Sequence, residues 1–110
     1  MSNRDQLVAA LHSILEQLWN GADETAAIEF RVLVAWRART VKPGVPTYRA
    51  GTFPSRGWQD AQDLRFLESA APGMRDIELA WSAGDPGAAA QRVRDLLSYL
   101  SAQGPEQQPV

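Results

Sequence analysis

The chain lacks cysteine altogether and has one histidine (His12) and one lysine (Lys42) among its 110 residues. The missing thiols exclude disulfide scaffolds, zinc ribbons, iron–sulfur clusters and thiol catalysis. They also suit a reducing compartment, so a cytoplasmic location is the expectation. No run approaches the ~18 apolar residues that read as a membrane-crossing helix. The N-terminus carries Arg4 and Asp5 instead of a continuous apolar stretch, so no signal peptide is expected.

One further lack is local. Between Phe30 and Trp58 there is no aspartate or glutamate, while Arg31, Arg37, Arg39, Lys42, Arg49 and Arg56 all fall there. That stretch carries six positive charges, so the remainder must be −8 to give the total of −2. What is present otherwise is ordinary: 45% hydrophobic and 22% charged residues, which argues against disorder throughout. The length suits one globular domain over 1–103, with 104–110 after Gly104-Pro105 expected as a disordered tail.

Hydrophobic spacing then suggests the elements. Leu7, Val8, Leu11, Ile14, Leu15, Leu18 and Trp19 form one stripe of a helix over 4–20, capped by Ser2 or Asn3 and stopped at Asn20-Gly21. Ile28, Phe30, Val32, Val34 and Trp36 instead fall at every second position. Wound as a helix they scatter round the circumference, so the pattern predicts a strand over 27–38. Lys42-Pro43-Gly44-Val45-Pro46 reads as a turn, and Thr47 to Phe53 as an antiparallel return strand. A helix over 58–71 ends at Pro72-Gly73. The segment 74–83 fits a strand through Ile77, Leu79 and Trp81, or a helix through Met74, Ile77 and Trp81. Asp85 and Pro86 open a last helix over 86–102, with Ala89, Val93, Leu96, Leu97 and Leu100 on one stripe.

The expected fold is therefore α+β in the order α-β-β-α-β-α: a hairpin, with 74–83 as a third strand, covered by three amphipathic helices. An all-α bundle is the alternative. The four tryptophans, Trp19, Trp36, Trp58 and Trp81, read as core filling.

Catalytic signatures are lacking. His12 and Glu16 sit one helical turn apart, but a metal site needs further ligands that nothing specifies. Asp60, Asp63 and Glu68 mark a solvated helix face, the serines lie in no nucleophile elbow, and Gly84-Asp85-Pro86-Gly87 is no phosphate loop. No catalytic residue, metal site or cofactor is assigned. The charge layout points instead to a binding surface. A strand would put Arg31, Arg37 and Arg39 on one face, joined by Arg49 from the return strand, with Tyr48 and Phe53 nearby and Lys42 and Arg56 at the rim. Arginines in that pattern suit bidentate pairing with an acidic protein surface. The expected function is thus a small non-catalytic interaction protein, of accessory, inhibitor or chaperone type. Arginines interleaved with aromatics also suit single-stranded nucleic acid or RNA, the second reading. An enzyme with no recognisable motif is the third. An exposed sheet edge would further favour a homodimer.

Overall fold

The computed structural model describes residues 2–41 and 64–102, and every regular element within them is an α-helix. In chain order they are α1 (Asn3–Trp19), α2 (Asp23–Thr40), helical residues 64–69, α3 (Ala71–Ser82) and α4 (Pro86–Ala102). The α+β expectation is corrected to the all-α bundle. The supposed strand 27–38 lies inside α2, and most of the supposed third strand 74–83 lies inside α3. The turn at 42–46, the return strand Thr47–Phe53, the start of the 58–71 helix and the tail 104–110 fall outside the described residues.

The physical reason is backbone satisfaction. A strand needs a neighbouring strand for its N–H and C=O groups, whereas a helix satisfies its own. Residues 27–38 also include Leu33, Ala35, Ala38 and two arginines, Arg31 and Arg37, all good helix formers. Ala26, Phe30 and Leu33, spaced four and three apart, supply the buried face. Pro72-Gly73 likewise opens a helix where a stop was expected. Ala70 forms a turn after 64–69, and Pro72 sits in the first turn of α3, where its missing N–H costs nothing.

Both short corners are built alike. After α1, Gly21 at φ +78° lets its N–H reach the Leu18 carbonyl while Ala22 N–H reaches Gln17. After α3, Gly84 at φ +73° does the same, its N–H bonding Trp81 and Asp85 N–H bonding Ala80. These are Schellman caps, which reverse the chain within three residues and make α1–α2 and α3–α4 antiparallel hairpins. The start signals hold as well: Ser2 Oγ accepts from Asp5 N–H at 3.1 Å, and Asp85 Oδ1 from Ala88 N–H at 3.0 Å.

The core joins Leu7, Leu11, Ile14 and Leu15 of α1 to Ala26, Phe30 and Leu33 of α2. It continues through Phe66, Leu67 and Ala70 to Met74 and Ile77 of α3 and Val93, Leu96 and Leu100 of α4. Each fully buried aliphatic side chain contributes roughly 1.5–3 kcal/mol. The closest helix pairs are α1 with α2, α1 with α4, and α3 with α4, so α1 and α4 are the two inner helices. Of the tryptophans, Trp36 and Trp81 pack partly buried against the core, but Trp19 is 67% exposed, so its core assignment is corrected. Trp19 ends α1, beyond the last buried turn.

Packing of α3 on α4 is tight at Gly73. A Cβ there would stand 2.6 Å from Leu96 Cδ1 and 3.3 Å from Leu96 Cβ. Replacing a helical glycine by alanine ordinarily gains up to about 1 kcal/mol, but overpacking costs about 1–3 kcal/mol. Gly73→Ala should therefore destabilise in urea unfolding by about 1 kcal/mol. In a Leu96→Ala background the same change should become neutral or stabilising, because the space is already open.

Candidate interaction surface

The predicted binding residues are Arg31, Arg37, Arg39, Lys42, Tyr48, Arg49, Phe53 and Arg56. Lys42, Tyr48, Arg49, Phe53 and Arg56 lie outside the described residues. The other three ride on α2, where a helix disperses them. With about 3.6 residues per turn, Arg31 and Arg39 fall towards the outward side and Arg37 falls opposite. The single strand face on which all three were expected is therefore corrected.

Arg37 points inward and is structural. Its Nε–H donates to the Leu67 carbonyl oxygen at 2.9 Å, tying the end of α2 to the helical residues 64–69. Arg4 supports the same segment from α1, with its guanidinium carbon 4.6 Å from the centre of the Phe66 ring. Two cations thus hold one short stretch whose Phe66, Leu67 and Ala70 are buried. Arg31 and Arg39 are exposed and form no hydrogen bond or ion pair among the described residues.

The rotation of α2 about its own axis is set by Glu29. Ser13 Oγ donates to Glu29 Oε2 at 2.8 Å and Gln17 Nε2 donates to Glu29 Oε1, also at 2.8 Å. Ser13 and Gln17 are one turn apart on α1, so both carboxylate oxygens are gripped by one neighbouring helix. This roll turns Ala26, Phe30 and Leu33 inward and leaves Ile28 59% and Val32 62% exposed. Thr25, Ala35 and Arg39 continue the outward stripe, all exposed, with Arg31 and Glu24 along its edge.

Beside the stripe, an open groove of about 420 Å³ separates α2 from α3. Phe30 and Trp81 form its base, their ring centroids 5.1 Å apart and tilted by 31°. Such a ring pair adds roughly 0.5–1.5 kcal/mol beyond its area burial. Ala27, Val34 and Ala35 line the α2 side, and Glu78 of α3 stands on the wall opposite Arg31.

His12 is exposed on α1, and among the described residues no group of three or more histidine and carboxylate side chains could hold a metal. No helix of the described residues is long and apolar enough to cross a membrane. No protein-family model, curated protein or solved structure matches this chain.

The sequence reading missed Glu29, Ile28 and Val32 as surface determinants. The signal was present: Thr25, Ile28, Val32, Ala35 and Arg39 follow a three–four spacing distinct from that of Ala26, Phe30 and Leu33.

The two orientations of arginine separate in stability. Arg37→Ala removes a charge-assisted bond to a part-buried carbonyl and should lower unfolding free energy by about 1–2 kcal/mol. Arg39→Ala, at an exposed site, should stay within about 0.5 kcal/mol of the parent. Equal effects in chemical denaturation would remove the structural role given to Arg37.

Proposed function

We propose that this protein is a small non-catalytic interaction module of the cytoplasm that docks a protein partner along α2. The observation carrying this reading is the two-sided apolarity of that helix. Ala26, Phe30 and Leu33 are buried inside while Ile28 and Val32 stand more than half exposed on the opposite side. A helix apolar on both sides is ordinarily covered on both. Flanking Arg31 and Arg39 favour carboxylates on whatever covers the outer side, since guanidinium groups pair with them bidentately. The partner chemistry is therefore apolar along a narrow strip with acidic residues beside it. The arginines act from a helix instead of a hairpin, and the cysteine-free composition suits the reducing cytoplasm.

A pair of substitutions separates this reading from simple tolerance of exposed hydrophobics. Ile28→Gln with Val32→Gln replaces two β-branched residues by a better helix former at exposed positions. Thermal stability should hold or rise slightly. Binding of a fluorescein-labelled amphipathic helical peptide with an acidic flank, measured by anisotropy, should be lost. Unchanged peptide binding by the double variant would place docking elsewhere.

A further inference from the structure

We infer that the partner seated on the outer face of α2 is a second copy of the same helix, packed antiparallel. This rests on the docking role proposed for that face and adds the identity of its occupant. Two observations select it.

The first is the charge order of α2. On the outward side Glu24 lies in its first turn and Arg39 in its last, while Arg37 is turned inward to Leu67. A helix acidic at one end and basic at the other is complementary to itself when reversed, and self-repelling when parallel. The second is placement. Glu24 and Arg39 are both exposed, with no partner among the described residues, and bracket the stripe that contains Ile28, Val32 and Ala35. A two-fold axis beside Val32 sets Ile28 of one copy against Ala35 of the other, a large residue against a small one. The same axis brings Glu24 of each copy alongside Arg39 of its mate, twice over. An isologous contact of this kind closes on itself and does not propagate.

One helix laid on one helix buries less than a standard interface, so the dimer should be weak, with a dissociation constant on the order of 10–500 μM. Sedimentation of the full chain from 5 μM to about 1 mM should show a reversible monomer–dimer equilibrium. Val32→Glu should leave only monomer. Glu24→Arg and Arg39→Glu should each weaken the dimer about tenfold, by turning two attractions into two repulsions. Combined in one chain, the two reversals should restore it, because the pairs re-form with signs exchanged. Circular dichroism of each variant distinguishes a lost contact from a lost fold.

Orientation has its own readout, made simple by the absence of native cysteine. Val32→Cys places its thiol beside the axis and should oxidise to a disulfide-linked dimer. Thr25→Cys lies seven residues from the axis, roughly 20 Å from its counterpart at 1.5 Å per residue, beyond disulfide reach. It should remain monomeric under the same oxidation. Equal cross-linking at both positions would mean a parallel pair and overturn the proposal, as would a strict monomer at 1 mM. A monomer that still binds the acidic helical peptide would leave the docking role standing and remove only the second copy as its occupant.

Discussion

The Glu29 carboxylate governs which way α2 faces. Ser13 and Gln17 reach it from two successive turns of α1, and two bonds to one planar group resist rolling as well as sliding. Because α2 has apolar side chains around most of its circumference, burial alone would distinguish weakly between one roll and another. The polar clamp removes that degeneracy. Once it is closed, Phe30 meets Trp81, Leu33 enters the core, Arg37 reaches the Leu67 carbonyl, and Ile28 and Val32 are left facing out. A single hydrogen-bonded carboxylate is worth only about 1.5–3 kcal/mol. Here that modest energy acts as a selector among packings of similar burial, which is a larger structural consequence than its contribution to stability.

The same geometry sorts the arginines. A run of cations with no intervening acid is costly where the charges converge, and a helix prevents convergence by distributing them around its axis. Arg37 is turned to a carbonyl oxygen, a neutral acceptor whose partial negative charge is enough for a short bond. Arg31 borders the groove near Glu78, and Arg39 lies at the outer end of α2, where the helix dipole favours a cation. Part of the basic excess that stands out in the sequence is thus absorbed within the fold, residue by residue.

What the sequence made legible follows from how local each signal is. The α1 and α4 stripes, the Ser2 and Asp85 caps and the Gly21 stop depend on neighbours within a few residues, and all were readable. The segment 27–38 was misread because two helical faces were superposed in it. Phe30 and Val34 mark the inner face, Ile28 and Val32 the outer, and their sum mimics the alternation of a strand. Pro72-Gly73 was misread because the pair is ambiguous by nature. Proline stops a helix from its interior but suits its first turn, and only the turn at Ala70 decides between them. The Glu29 clamp was not readable at all: it spans 16 and 12 residues and is made of three common polar side chains with no motif spacing.

The open side of the bundle is a consequence of its order of contacts. Helices pack as α2 on α1, α1 on α4, and α4 on α3, which leaves α2 and α3 as the two ends of a row folded towards each other. Full closure would need large side chains along their facing edges. The sequence instead places Ala27, Val34 and Ala35 on one edge and Glu78 and Ser82 on the other, and the ring contact of Phe30 with Trp81 bridges them. That aromatic contact is a strut: it fixes the separation of the two helices without filling the space above it. Because α2 is an end helix, its outer side has no further element of the described chain beyond it, and the apolar stripe there is a feature of position as much as of composition. The inner helix α1 can afford no such face, since Leu7, Leu11 and Ile14 must meet neighbours on two sides and are completely buried. An outward apolar stripe can persist on an end helix, and on α2 the bonds of Ser13 and Gln17 to Glu29 hold it there.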